Sequence, residues 1–130
     1  MKPIPGTHLD ILQKPSFANV ATVDEDGTPQ VTPVWVDYED GHFLLNSAKG
    51  RKKDRNLRER PRVALTIVDS DNPYRYIGVQ GTVVEITEKG AVDHIHKLSH
   101  KYLGKDYPWL NASETRVIYK ITPTRVWVMG

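Results

Sequence analysis

Apolar residues in this chain come in short runs separated by turn-forming dipeptides, and this pattern predicts a protein built mainly of β-strands. Acidic, glycine-closed turns at residues 24–27 and 39–41 are typical of hairpins, because Asp-Gly suits turn positions with positive φ. Gly78 and Gly81 interrupt a long apolar stretch and predict bulges there. The six predicted strands span residues 17–23, 30–38, 42–46, 63–68, 74–86 and 115–129, the last as a pair or as one strand bent at Pro123.

Two or three short helices are predicted beside these strands. Residues 8–14 form a short one, residues 50–60 a strongly basic one, and residues 88–102 one with apolar side chains at helical spacing, ended by Gly104. Hairpin connections without alternating strands and helices indicate a six-stranded antiparallel barrel or roll that closes on itself to remove exposed edges. No linker or repeat interrupts the chain, so residues 1–130 are predicted to be a single domain.

Composition and charge narrow the function classes. The 130 residues are 38% hydrophobic and 26% charged, as in ordinary globular proteins, and the formal net charge is only +2, which argues against general nucleic-acid binding. The absence of cysteine excludes disulfides, thiolate metal sites and cysteine nucleophiles. No apolar run approaches the ~20 residues that a membrane helix needs, and the start shows no signal-peptide pattern. We therefore expect a cytoplasmic protein without membrane contacts.

The strongest functional signal is a basic segment, residues 46–62, which contains eight of the eighteen Lys and Arg residues. Cations in the first turn of a helix oppose the macrodipole, so they indicate an anion nearby, and a helix start flanked by cations is typical of a phosphate site. Helical spacing predicts that Arg51 and Arg55 share one face and that Lys52 and Asn56 form the adjacent row. The alternative interpretation is a solvated, charged connector. The candidate phosphate ligands are Ser47, Arg51, Lys52, Lys53, Arg55 and Asn56.

A second signal is the run Gln30-Val-Thr-Pro-Val-Trp-Val36, because Pro33 interrupts an otherwise regular strand and Pro29 precedes it. Proline cannot donate a ladder hydrogen bond, so the segment is predicted at a sheet edge or a bulge. Its free backbone groups suit the amide-like edge of a planar heterocycle such as a flavin; an ordinary edge strand is the alternative. The aromatic residues suited to stacking on a ring or to a subunit interface are Trp35, Tyr74, Tyr76, Trp109 and Trp127.

No motif supports catalysis by protein side chains alone. The chain has neither a Gly-x-Ser-x-Gly elbow nor a P-loop. His94, His96 and His100 lie in the predicted helix 88–102. His96 and His100 are four residues apart, but neither zincin spacing nor a third ligand accompanies that pair. No metal site is therefore predicted, and exposed histidines are expected. Hydride transfer by a bound cofactor demands little of side chains and fits the sequence better.

Four segments, in their order along the chain, resemble a known family. They are Phe17-Ala-Asn-Val-Ala-Thr-Val23, Asp26-Gly-Thr-Pro-Gln-Val-Thr-Pro-Val-Trp35, Lys53-Asp-Arg-Asn-Leu-Arg-Glu-Arg-Pro-Arg-Val63 and Tyr76-Ile-Gly-Val-Gln-Gly-Thr-Val83. Together they resemble the pyridoxamine 5'-phosphate oxidase-like, FMN-binding split β-barrel superfamily over residues 7–128. Within it, the chain is most similar to the branch of deazaflavin-dependent reductases that use coenzyme F420. The resemblance implies a split β-barrel (Greek-key roll) and a homodimer with two cofactor sites at the subunit interface.

The resemblance also implies which residues hold the cofactor. Its phosphate is expected against Arg51, Lys53 and Arg55, with Lys52 and Asn56 nearby. Aromatic residues of the partner chain are expected to close the site, and Tyr74 or a water is the candidate proton donor. The residues expected at the ring are Val31, Thr32, Pro33, Val34 and Trp35, and the expected partner-chain aromatics are Tyr74 and Tyr76.

We therefore predict a dimeric, F420-dependent oxidoreductase that transfers a hydride from the reduced deazaflavin to a small, electron-poor organic substrate. The long basic run favours F420, which has an anionic polyglutamate tail, over FMN. One alternative is an FMN-binding oxidase or flavin reductase of the same fold, and a second is a non-catalytic carrier of F420 or flavin. A third is nucleic-acid binding through residues 51–62, which would depend strongly on salt; we predict no such partner.

Overall fold

A computed structural model of the chain describes residues 2–130. None of the helices in this range is long and apolar enough to cross a bilayer. The strands are β1 (Ala18–Val23), β2 (Pro29–Val34), β3 (Asp37–Glu39), β4 (His42–Ala48), β5 (Arg62–Val68), β6 (Tyr76–Thr87) and β7 (Arg116–Met129). The helices are α1 (Leu9–Gln13), which follows a 3₁₀ turn at Gly6–His8, α2 (Lys52–Glu59) and α3 (Ala91–Leu103).

All strands belong to one curled antiparallel sheet with the order β2-β1-β5-β6-β7-β4-β3, a half-barrel. The prediction of six strands is wrong, because the strand expected over residues 30–38 is divided into β2 and β3. Val36 leaves the ladder: its N–H donates to the Tyr102 hydroxyl at 3.1 Å, and its carbonyl accepts from Lys101 Nζ at 3.0 Å. Trp35 and Val36 thus carry the chain from one edge of the sheet directly to the other, so both edges lie at this corner.

Local turn chemistry forms the predicted connections. In the β3–β4 hairpin, Asp40 and Gly41 have φ values of 52° and 79°, as a tight Asp-Gly turn requires. The expected bulge is present at Gly81, where the register of β6 against β7 shifts. The bulge expected at Gly78 is absent, because Gly78 pairs in regular register with Thr66 and Trp127. A Cβ at Gly81 would lie 2.7 Å from the Thr122 carbonyl oxygen, so the close strand approach needs glycine. The last segment is one strand, β7, rather than a pair.

The apolar core fills the inside of the curled sheet. Phe43, Leu65, Ile77 and Ile121 are buried there, together with Leu57 from α2. Leu57 thus packs α2 against the sheet, and the start of α2 and the end of β4 both line the candidate site.

The first turn of α2 also contains a buried carboxylate, which the sequence-based picture of an all-cationic helix start overlooked. Asp54 accepts the Gly50 N–H at 2.8 Å and the Tyr119 hydroxyl at 2.7 Å, and it also accepts from Arg58 Nε at 3.0 Å. Burial raises the pKa of Asp54, but these hydrogen bonds outweigh it and leave the pKa below its usual value. Asp54 therefore anchors the helix start, and the neighbouring cations remain available for other partners.

Candidate functional site

A groove of about 500 Å³ lies between β2, the end of β4, the start of α2 and the helix α3 with its following loop. This volume falls within the range of about 300–1,000 Å³ that is typical of small-molecule sites. Its lining contains a cationic set and an apolar, largely aromatic set. The cationic set is Arg51, Lys52, Lys53 and Arg116, and the aromatic set is Phe17, Trp35, Tyr107 and Trp109.

Most of the predicted cofactor ligands line this groove together. They come from two elements far apart in sequence, the edge strand β2 and the basic segment after β4. The predicted residues that the groove brings together are Thr32, Pro33, Val34, Trp35, Ser47, Arg51, Lys52 and Lys53.

The other predicted residues lie elsewhere in this chain. Val31 does not line the groove and is 65% exposed. Tyr74 precedes β6 and is 82% exposed, while Tyr76 begins β6 and pairs with Met129 of β7. In a single chain these two tyrosines are therefore outside the groove.

Arg55 and Asn56 line a second groove, beside the β1–β2 turn. The prediction that Arg51 and Arg55 share a helical face is wrong, because Arg51 is the extended N-cap residue rather than part of the helix. Asn56 is buried, and its amide donates to Thr22 at 3.2 Å and to Asp24 at 2.9 Å. Asn56 therefore holds α2 to β1.

Arg116, at the start of β7, is a groove residue that the sequence interpretation missed. Its side chain is only 6% exposed. Nε donates to Asn46 Oδ1 at 2.9 Å, and the guanidinium lies 5.4 Å from the centre of the Tyr107 ring. Its contact with a carboxylate is long, 3.4 Å from Nη1 to Glu114 Oε2.

The groove carries more positive than negative charge. Glu114 is shared, because the same oxygen lies 3.0 Å from Arg51 Nη2. Lys53 forms no ion pair with any carboxylate in residues 2–130, and burial together with the charges of Arg51 and Arg116 lowers its pKa. Arg51, Lys53 and Arg116 are three cations beside the single carboxylate of Glu114. Two positive charges therefore remain uncompensated, and an anionic ligand would neutralise them.

Flat side chains form the aromatic lining. Trp35 stacks on Tyr102 at a centroid distance of 5.3 Å and an interplanar angle of 12°. Tyr107 meets the edge of Trp35 at 6.0 Å and of Trp109 at 5.6 Å. Of these residues, the sequence singled out Trp35 and Trp109 but not Tyr107, whose role depends on how the loop after α3 folds back. Such a surface suits a planar ring ligand.

The α3 histidines are not uniformly exposed, contrary to expectation. His94 is buried beside Asp37 and Asn46, and His96 Nδ1 accepts the Tyr107 N–H at 3.0 Å. Burial raises the pKa of Asp37, but the bonds from His94 and Lys97 outweigh it and lower the pKa to about 2. Within residues 2–130, no group of three or more His, Cys, Asp or Glu residues is arranged to hold a metal ion.

Fold and site together define a member of a known enzyme family. The chain belongs to the pyridoxamine 5'-phosphate oxidase family, whose sequence profile matches residues 4–130, so the resemblance seen in the sequence is confirmed. Membership points to an enzyme of the oxidoreductase type. No curated protein sequence matches the chain significantly.

Solved structures show the same fold. An F420 reductase is 32% identical, covers 95% of this chain and 98% of its own, and superposes with a TM-score of 0.85. A conserved hypothetical protein from Mycobacterium tuberculosis is 23% identical, with coverages of 99% and 89% and a TM-score of 0.76. General Stress Protein 26 from Bacillus anthracis is 20% identical, with coverages of 94% and 90% and a TM-score of 0.70.

Proposed function

We propose that the protein is a homodimeric, F420-dependent reductase and that the groove holds the phosphate and ring of this cofactor. The observation that carries the proposal is the excess of cations, with the unpaired Lys53 at its centre, next to a flat aromatic surface. An aromatic ring that carries a phosphate satisfies both linings at once. The 32% identity to an F420 reductase over nearly the whole chain supports the deazaflavin rather than FMN.

The cationic lining fits a phosphate group. Arg51 and Arg116 offer forked N–H donors, Lys53 offers a mobile charge, and the Ser47 hydroxyl lies in the same groove. Asp54 already satisfies the Gly50 N–H, so the phosphate is left to the side chains and to the first free N–H groups of α2. Binding would relieve the repulsion that lowers the pKa of Lys53.

The edge strand β2 fits the ring. It pairs only with β1, so its other side presents backbone groups to a ligand at Thr32, Pro33 and Val34. When bound, the reduced deazaflavin would supply a hydride for a small, electron-poor organic substrate. The chain itself would orient the ring on Trp35 and exclude water with its aromatic lining.

The second groove adds no net positive charge for an anionic tail. Lys52 lines both grooves, and Arg55 and Arg60 follow it in the second one, but Asp24, Glu25, Asp26 and Glu59 line the same groove. Lys52 is paired with Asp24 at 3.0 Å and Arg60 with Glu59 at 2.9 Å. The preference for F420 over FMN therefore rests on the identity to an F420 reductase and not on a path for its tail.

Titration of the apo-protein with F420 and with FMN, followed by cofactor fluorescence, tests the proposal. We expect tighter binding of F420, followed by turnover of reduced F420 with activated alkenes or nitro compounds. The double variant Arg51→Glu/Lys53→Glu should abolish measurable binding, whereas Lys89→Glu, which reverses an exposed charge outside the groove, should not. Equal F420 affinity in both variants would refute the site; tighter binding of FMN would transfer the proposal to the FMN alternative, and binding without turnover would favour a carrier.

The dimer belongs to the same proposal. Tyr74 and Tyr76 lie outside the groove of their own chain, so they act at a site only if a partner presents them. Sedimentation velocity should give a dimer at micromolar concentration. Tyr74→Ala should then slow turnover more than it weakens cofactor binding if Tyr74 delivers the proton, and unchanged turnover would assign that step to water.

A further inference from the structure

A series of hydrogen bonds that leads away from the groove holds the Arg116 side chain in place. Asn46 Oδ1 accepts from Arg116 Nε at 2.9 Å, and Asn46 Nδ2 lies 2.8 Å from the Ala91 carbonyl oxygen and 3.1 Å from His94 Nδ1. His94 Nε2 in turn lies 3.2 Å from Asp37 Oδ2. All four linked side chains are buried or nearly so.

Two groups in this series of hydrogen bonds, the Arg116 Nε–H and the Ala91 carbonyl, have fixed roles as donor and acceptor, and they determine the roles of the other groups. The Arg116 Nε–H can only donate, so the Asn46 oxygen must face it; the Ala91 carbonyl can only accept, so the Asn46 amide nitrogen must face that. The same nitrogen therefore donates to His94 Nδ1, which must carry a lone pair. The His94 proton then lies on Nε2, pointing at Asp37.

We propose that His94 is a positioning residue, neutral with its proton on Nε2, whose Nδ1 lone pair fixes Asn46 and thereby aims the Arg116 guanidinium into the groove. The orientation of Asn46 cannot be reversed to accommodate a doubly protonated His94. A flipped amide would place N–H against the Arg116 N–H and oxygen against the Ala91 oxygen. Protonation of His94 therefore breaks its link to Asn46 and loosens Arg116.

Charged groups surround His94 on several elements. Asp37 on β3 contacts it directly and is itself bound by Lys97, 3.1 Å from the same carboxylate oxygen. Charged side chains on the elements around His94 include Asp37 and Glu39 from β3, Lys97 and Lys101 from α3, and Arg116 from β7.

NMR of the ligand-free protein tests the first part without any cofactor. Long-range ¹H–¹⁵N spectra at neutral pH should show His94 as the Nε2–H tautomer, and the Arg116 Nε–H should be protected from exchange with water. In His94→Leu, which removes the Nδ1 acceptor, that protection should be lost. A Nδ1–H tautomer in wild type, or an Arg116 Nε–H that is as protected in His94→Leu as in wild type, would overturn the proposal.

Two substitutions test the consequence for binding, which rests on the proposed anion site. His94→Leu removes the acceptor, and we expect affinity for FMN and for inorganic phosphate to fall about fivefold, the effect of one lost neutral hydrogen bond. His94→Asn places an amide oxygen at the Nδ1 position and should restore affinity to within about twofold of wild type. The control is His100→Asn, which alters an exposed histidine of the same helix paired only with Asp106.

Equal affinity of the His94→Leu and His94→Asn variants would overturn the positioning role, because the shape of the side chain rather than the Nδ1 lone pair would then determine the affinity. If wild-type protein binds neither F420 nor FMN, the proposed function fails. The tautomer and Arg116 exchange measurements still decide the positioning role in that case.

Discussion

Replacing Lys53 by methionine should weaken cofactor binding and stabilise the ligand-free protein at the same time. Methionine keeps most of the volume but removes a charge that is largely withdrawn from water, has no carboxylate partner within residues 2–130 and is repelled by Arg51 and Arg116. The folded-state pKa of Lys53 lies below the unfolded value of 10.5, so its unfavourable contribution is present at neutral pH and fades as the pH rises through the folded pKa. Lys53→Met removes that contribution outright.

The two effects have opposite signs and different sizes. A charge-assisted hydrogen bond to phosphate contributes about 1.5–3 kcal/mol, so Kd should rise about 10- to 150-fold. Relief of the repulsion should add up to about 1 kcal/mol to the free energy of unfolding, the size of a partly exposed ion pair. For a domain of this length that corresponds to a rise in Tm of about 3–5 °C.

Thermal unfolding with and without cofactor measures both quantities in one experiment. Wild-type protein should unfold at a lower temperature than the variant when no ligand is present, and the order should reverse at saturating F420 or FMN. Lys89→Met is the matched control, since Lys89 is exposed and lies outside the groove. An Lys53→Met protein that is less stable without ligand, or that binds cofactor as tightly as wild type, would show that Lys53 is not an unmatched anion ligand.

Three further predictions concern stability. Gly81→Ala should cost about 1–3 kcal/mol in urea unfolding because its Cβ would press on the Thr122 carbonyl; Gly6→Ala, with open space around it, should change stability by less than about 0.5 kcal/mol. Asp54→Ala should destabilise by about 1–3 kcal/mol for each buried donor that it orphans. Wild type should lose stability below pH 3.8 as Asp37 is protonated towards its pKa of about 2, and Asp37→Asn should flatten that part of the pH profile.

Features set by neighbouring residues were predictable from the sequence. The Asp40-Gly41 turn and the end of α3 at Gly104 follow from the φ values that glycine and aspartate tolerate, and both are present. The position of the basic segment at a helix start also follows from the local pattern, which is why Lys53 could be predicted as a candidate phosphate ligand. Gly81 marked its bulge for the same reason.

Features that depend on distant contacts were not predictable. The break at Val36 requires the Tyr102 hydroxyl, 66 positions away, and nothing in the run around Val36 signals it. Arg116 appeared as one cation at the start of a strand; its place in the groove depends on Asn46, 70 positions away. His94 likewise shows a helical position in the sequence but not the burial that β3 and β4 impose.

The corner at Trp35 and Val36 ties the shape of the groove to resistance against aggregation. The Tyr102 hydroxyl donates to the Ser16 carbonyl at 2.7 Å and accepts the Val36 N–H, so one side chain restrains the chain where β2 gives way to β3. Both edge strands of the sheet meet there, and unprotected edge strands can pair with strands of other molecules. Variants selected at Tyr102 for a wider groove will therefore tend to form fibrils or amorphous precipitates, even where their catalytic gain is real.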